Sequence, residues 1–334
     1  MAPIFFSKTF VDRVWYSKNI LSLLLLPISW IYIIIIKIRS ALYQVGVIPV
    51  SKINVPIIVV GNITAGGTGK TPLVIWLANY FKNKGFLPGI ISRGYGGKYL
   101  SDIEFVHSDS DPLLVGDEPL IIAKKCNCPV AVAKKRVRAA KELVSKYNCN
   151  IIISDDGMQH YSLGRDIEIA VIDGQRRLGN GYCLPAGPLR EPKNKLLNID
   201  LIVSKYTSQI SEYTMEYIYQ DLISLGKPAK TISLSELCDM KVHVITGIDN
   251  PENFFSYLQT HKLELIIHQF PDHHIYEEHE VVFNDDLPII MTEKDAVKCA
   301  RYSNNNHWYI PIVAKLPNSF NNVLDTYTEK MFSG

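Results

Sequence analysis

A chain of 334 residues with 35 Lys+Arg against 33 Asp+Glu has a formal net charge of +2, which excludes the strong basic field of a nucleic-acid binder. With 47% hydrophobic residues it can bury one large core or two smaller ones. Its six cysteines never stand as a C-x-x-C pair, so they read as scattered thiols in a reducing compartment rather than a zinc site or disulfide framework.

The first forty residues set themselves apart. Ile20 to Ile36 holds no charge and is bracketed by Lys18 and Lys37, which is the lower limit of a bilayer-spanning helix, roughly 17–25 residues. Pro27 is a candidate kink. Ahead of it, Phe5, Phe6, Phe10, Val11, Val14 and Trp15 are spaced as one apolar face among Lys8, Arg13 and Lys18, as expected of a helix in the lipid interface. A cleavable signal peptide fails for want of a small-residue cleavage site. Basic residues balance on the two sides, so the positive-inside count does not choose between a span and a surface anchor.

The centre of the chain's chemistry follows. Val55 to Val60 reads as a buried strand and Pro72 to Phe81 as an amphipathic helix. Between them lies Thr64-Ala65-Gly66-Gly67-Thr68-Gly69-Lys70-Thr71, in the strand–turn–helix context of a P-loop. Glycines let backbone N–H groups close around phosphate oxygens, and the helix N-terminus adds positive partial charge. Lys70 is placed to reach the β- and γ-phosphates and Thr71 to take a position on Mg²⁺. Thr64 stands where the general pattern has glycine.

A second strand, Phe86 to Ile91, leads to Ser92-Arg93-Gly94-Tyr95-Gly96-Gly97, at the carboxyl end of the sheet where ligands bind in open α/β folds. Arg93 is expected to meet an anionic substrate group there, with the glycines permitting close approach. Gly116-Asp117-Glu118-Pro119 opens a helix, and Lys134-Lys135-Arg136-Val137-Arg138 leads another to Tyr147. Ile151 to Ile153 is a buried strand ending in Asp155-Asp156, the form of a Walker B element supporting Mg²⁺. Beyond the strand Ile167 to Asp173, the Gly- and Pro-rich stretch from Leu178 to Pro192 reads as a long functional loop. After Leu201 to Lys205 the pattern weakens. A further helix–strand alternation starts near Val242 and implies another parallel sheet. Asp272-His273-His274 closes one of its strands and offers a base with an orienting partner.

Taken together, these motifs resemble the tetraacyldisaccharide 4′-kinase family, the lipid A 4′-kinases of Gram-negative bacteria. The resemblance rests on the apolar N-terminus, Val60-Gly61-Asn62 before the P-loop, Ser92-Arg93-Gly94-Tyr95-Gly96 and Gly116-Asp117-Glu118-Pro119. It continues through Asp155-Asp156-Gly157-Met158-Gln159-His160, Leu184 to Glu191, Phe270-Pro271-Asp272-His273 and Thr292-Glu293-Lys294-Asp295. Met158 stands where an aromatic residue is expected. The resemblance implies transfer of the γ-phosphate of ATP, with Mg²⁺, to the 4′-hydroxyl of a tetraacyl glucosamine disaccharide 1-phosphate. The expected place is the cytoplasmic face of the bacterial inner membrane, with a lipid substrate, no nucleic acid and no obligate protein partner. Position by position it implies Thr64–Thr71 for the nucleotide, and Thr71, Glu118, Asp155 and Asp156 for the metal. Asp117 and His273 are implied as the catalytic pair. Arg93 and Arg190 are weaker candidates for substrate phosphate. Lys294 and Asp295 match the pattern without an assigned role.

The expected fold is α/β: a P-loop, mostly parallel sheet with flanking helices, a second smaller α/β lobe and an N-terminal membrane-associating helix. The expected divisions are residues 1–40, 41–225 and 226–334. That division puts Asp117 in the first lobe and His273 in the second, so their pairing would wait for closure over the substrates. A membrane-associated P-loop ATPase switch acting through protein partners is the rival reading. It leaves Asp272-His273 and the Gly- and Pro-rich loop without a purpose.

Overall fold

The computed structural model describes residue 11 and residues 13–98 and 101–332. Two compact units form, each from separated stretches of chain. Residues up to Ser92, Lys135–Glu216 and those from Leu316 onward make the first, and Arg93–Lys134 with Tyr217–Lys315 the second. The contiguous blocks read from the sequence miss this exchange. The chain leaves the first unit after Ser92, builds the antiparallel pair Glu104–Val106 and Val130–Val132 and the helix Asp117–Cys126, and returns to the first unit at Lys135.

In the first unit six strands run parallel. Their order is Tyr213–Tyr219, Leu201–Lys205, Ile167–Asp173, Ile57–Gly61, Ile151–Ser154 and Pro88–Ser92. Every residue of Ile57–Gly61, Ile151–Ser154 and Ile167–Asp173 is buried; Ile57–Gly61 and Ile151–Ile153 are accordingly continuous apolar runs rather than alternating ones, while Ile167–Asp173 carries the buried Glu168 and Asp173. The strand before the P-loop lies at the centre, pairing Ile57 with Ile152 and Val59 with Ser154. That register sets the P-loop and the two aspartates after Ser154 side by side at the carboxyl edge. Gly61 has to be glycine: a Cβ there would fall 2.8 Å from the Met158 side chain. The unbranched, fully buried Met158 fills the space against that bare backbone.

Helix Lys70–Asn83 buries Leu73, Val74, Leu77, Ala78 and Phe81 on one stripe. The C-terminal helix Asn318–Phe332 also belongs to this unit, with Phe320 packed edge-on against Trp76 and Tyr213. The second unit contains four parallel strands ordered Glu264–Gln269, Lys241–Thr246, Ile289–Thr292 and His307–Ile310. Leu222–Ser224 and Thr231–Ile232 extend that sheet antiparallel.

Near the N-terminus, helices Ile20–Leu24 and Leu26–Gln44 join at Leu25, and Pro27 sits in the first turn of the longer one rather than kinking it. Leu26–Gln44 is long and apolar enough to cross a bilayer. Its polar face nonetheless points at the protein. The buried Ser29 hydroxyl donates to Cys183 O at 2.8 Å and accepts from Ala186 N–H, and the Tyr32 hydroxyl donates to Arg190 O at 3.0 Å. Further along, Arg39 donates to Gln159 O, and Tyr43 packs on Tyr161. Ile28, Ile31, Ile34, Ile35 and Ile38 are exposed. Phe5, Phe6 and Phe10 of the expected interfacial face lie outside the described residues. Val14 and Trp15 face protein, not lipid: Asn180 donates to both of their carbonyls, and the Trp15 indole N–H donates to Pro185 O.

Candidate active site

Gly69, at φ +91°, occupies the cap position of helix Lys70–Asn83, and Gly66 is also left-handed at φ +103°. Only glycine enters such conformations without strain, and here they turn the chain so that the helix N-terminus faces the loop's interior. The Gly- and Pro-rich segment lies along this loop: Ala65 N–H donates to Pro188 O at 2.7 Å and Arg190 N–H to Ile63 O at 2.6 Å. Thr68 Oγ1 and Asn62 Oδ1 are buried with no hydrogen-bond partner, polar atoms left over where a polyanion would lie.

Opposite the loop, Asp156 gathers positive charge. Its carboxylate is 3.6 Å from Lys70 Nζ and 3.3 Å from an Arg190 guanidinium nitrogen, while Arg136 donates to its carbonyl at 2.7 Å. Burial pushes the Asp156 carboxyl up, but Lys70, Arg190 and Arg136 outweigh it and hold it below its ordinary value. Asp155 accepts from the Ser92 hydroxyl at 3.1 Å. Gln159 donates to Asn62 O at 3.1 Å and, with Tyr161, to the buried Glu191. Among the described residues, no group of three or more His, Cys, Asp or Glu side chains is arranged to hold a metal ion by itself. Mg²⁺ characteristically uses one or two carboxylates and completes its shell with phosphate oxygens and water. Thr71, Asp155 and Asp156, all in the first unit, suit that donor set.

The second unit holds Arg93, Asp117, Glu118 and His273. Here the structure corrects the expected division: Asp117 and His273 share one unit, with Asp117 Oδ2 3.1 Å from His273 Nδ1. No closure is needed to pair them. Asp117 begins helix Asp117–Cys126 and accepts from Glu118 N–H at 2.9 Å, while Asp272 Oδ1 accepts from His273 N–H at 3.0 Å. The Tyr95 ring packs 5.0 Å from the imidazole. Gly94 and Gly116 permit close backbone contact within this unit. A Cβ on Gly94 would lie 2.9 Å from Val115 O, and one on Gly116 would lie 2.9 Å from Tyr95 O. Arg93 itself is exposed. Asp117 and His273 line a cavity of about 380 Å³, together with Tyr95, Lys124, Lys298 and Arg301.

Burial raises the Asp117 carboxyl, but the His273 hydrogen bond and Lys294 outweigh it and set it below its ordinary value. For His273 burial works downward, yet the hydrogen bond it donates to Asp117 leaves the imidazole above its ordinary value. The consequences for stability have opposite signs. The contribution of Asp117 is present above the unfolded carboxylate value and is lost as pH falls through its lowered folded value. That of His273 is present below about 6.5 and is lost as pH rises through its raised folded value. A paired carboxylate and imidazole beside a cavity can accept a proton from a hydroxyl; a P-loop with a cation-ringed aspartate can hold a triphosphate.

Sequence reasoning passed over Lys294, whose ammonium lies 3.0 Å from Asp272, 3.3 Å from Glu118 and 3.9 Å from Asp117. Its one signal was membership of a four-residue motif without an evident role.

The chain is similar to known proteins over nearly its whole length. Residues 21–329 match the family model for tetraacyldisaccharide-1-P 4′-kinase. A tetraacyldisaccharide 4′-kinase of Nitrosococcus oceani is 46% identical over 313 residues, covering 94% of this chain and 92% of that protein. One from Coxiella burnetii is 48% identical over 311 residues, covering 93% and 92%. The crystal structure of the "apo" form of LpxK from Aquifex aeolicus in complex with ATP superposes with a TM-score of 0.78 at 26% identity, covering 94% of this chain and 100% of that one. With a match that runs through both units and nearly the whole length, the chain belongs to the tetraacyldisaccharide-1-P 4′-kinase family.

Proposed function

We propose that this chain transfers the γ-phosphate of ATP to the 4′-hydroxyl of a tetraacyl glucosamine disaccharide 1-phosphate, giving lipid IVA in lipid A biosynthesis. Family membership over nearly the whole chain carries the reading, and the two residue clusters give it a mechanism. Lys70 and the N-terminus of helix Lys70–Asn83 grip the β- and γ-phosphates. Mg²⁺, when bound, offsets charge on those phosphate oxygens, and Thr71, Asp155 and Asp156 are its proposed holders in the first unit. Glu118, the fourth proposed holder, lies in the second unit, where its carboxylate is engaged by Lys294. The Asp117–His273 pair orients the acceptor hydroxyl and takes its proton. Arg93 and Arg190 are candidates for the substrate's phosphate, Arg190 from its place 3.3 Å from the Asp156 carboxylate.

The deciding experiment incubates purified protein with γ-labelled ATP and the acyl disaccharide phosphate. Label on the lipid in proportion to ATP consumed supports the kinase. ATP consumption with unlabelled lipid would return the chain to the switch reading. The pH profile supplies a second check. Protonated His273 cannot accept a proton, so kcat/KM should fall as pH falls through a value above 6.5, since Asp117 raises it. Asp117→Asn should displace that acid limb to lower pH, and an unmoved limb would place the titrating group elsewhere.

The exposed isoleucines of Leu26–Gln44 support seating on a membrane. Because Ser29, Tyr32, Arg39 and Tyr43 bond to the first unit along the helix, we read it as lying on the bilayer surface rather than crossing it, at the cytoplasmic face where ATP is available. Each such side chain moved from water into lipid contributes about 1.5–3 kcal/mol. Ile31→Asp with Ile35→Asp should therefore release the protein from vesicles. It should depress activity on vesicle-embedded substrate far more than on a detergent-dispersed, short-chain analogue. Equal loss on both would make the segment a folding element instead.

A further inference from the structure

We propose that Lys294 is a positioning residue for the Asp117–His273 pair, a reading that rests on the kinase function above. Its ammonium meets three carboxylates from two separate elements: Asp117 and Glu118 at the start of helix Asp117–Cys126, and Asp272 in the turn after strand Glu264–Gln269. Without a cation between them these acids would repel one another. Asp117 would then have no fixed direction toward His273, and Asp272 would lose the geometry in which it accepts from His273 N–H.

The rest of its motif is built to hold that ammonium in place. Thr292 caps helix Glu293–Cys299 by accepting from Asp295 N–H. Glu293 pairs with Lys125 at 2.7 Å, and Lys125 also donates to Ile312 O, which ties this helix to helix Asp117–Cys126. Asp295 is fully buried and accepts from the Tyr276 hydroxyl at 2.7 Å, the Thr292 hydroxyl at 2.6 Å and Gly247 N–H at 3.1 Å, with Lys298 at 3.0 Å. Every member of Thr292-Glu293-Lys294-Asp295 thus has a partner, and three of the four fix the fourth. Burial disfavours the Lys294 ammonium, but Glu118, Asp117 and Asp272 keep it protonated.

The test is Lys294→Met, which keeps the stem and removes the charge. We expect kcat to fall on the order of tenfold or more with ATP-analogue affinity unchanged, and Lys294→Arg to recover most of it. Combined with His273→Ala, the methionine should add little further loss, because both act through one pair. If Lys294→Met is unfolded, the double variant Lys294→Met, Asp272→Asn removes a carboxylate with the cation and should fold while remaining slow. A folded variant with wild-type kcat, or losses that multiply with those of His273→Ala, would overturn the positioning role alone. A wild-type protein that labels no lipid overturns the kinase reading and this inference with it.

Discussion

Lys70→Ala is expected to lower kcat/KM by about a thousandfold or more while leaving the fold in place. Lys70 is the cation that the P-loop brings to the transferring phosphoryl group, where charge on the three equatorial oxygens must be offset as the bond to the leaving oxygen loosens. The structure indicates why the fold should survive. Lys70 has a second neighbour, Asp156, but that carboxylate keeps Arg190 at 3.3 Å after the lysine is gone. A partly exposed pair of this kind contributes roughly 1 kcal/mol or less. The substitution also removes a positive charge from a helix N-terminus, where it opposes the dipole. A purified mutant with a near-wild-type melting temperature and near-wild-type transfer would take the P-loop lysine out of the mechanism. Lys70→Arg should not rescue fully, since the site calls for a compact point charge.

What the sequence made legible was mostly local. The P-loop could be read because its glycines, lysine and capping position are consecutive and sit between a strand and a helix that each bury one pattern. The aspartates after Ile151–Ser154 were legible for the same reason, and parallel pairing with Ile57–Gly61 places them beside the loop. The unit boundaries were not legible. Strand and helix alternate without a break through Arg93–Lys134, so nothing in composition announces that this stretch joins the second unit. The strand Tyr213–Tyr219 was missed because Met215 alone is buried in it, which leaves no alternation to detect. Lys294 was opaque because its three acidic partners come from elements far away in the chain, and a lysine beside a glutamate reads as a solvated helix face. The inverted N-terminal helix was half legible: its apolar length was plain. That Ser29 and Tyr32 turn inward and the isoleucines outward depends on the Cys183–Arg190 segment, which the periodicity of the helix does not reveal.

The pairing of Asp117 with His273 yields the last expected result. Asp117→Ala and His273→Ala should each reduce kcat by about 10²–10⁴-fold, with smaller effects on KM for ATP. A sugar hydroxyl is a weak nucleophile, and a carboxylate near pKa 4 holds a proton poorly. An imidazole raised by that carboxylate holds the proton long enough to pass it to solvent, and the carboxylate fixes which ring nitrogen is free to act. His273 has left-handed backbone at φ +60°, so alanine adds a conformational cost that asparagine, which tolerates that region, would not. His273→Asn is therefore the control that separates chemistry from strain. Because the two side chains lie in one unit at 3.1 Å, the pair is formed before any substrate binds. The double mutant should then be little worse than the more damaged single, as expected of groups that act together. Losses that multiply would mean that Asp117 and His273 act in separate steps. A near-normal His273→Asn would leave Asp117 as the sole proton acceptor and make the histidine its structural partner.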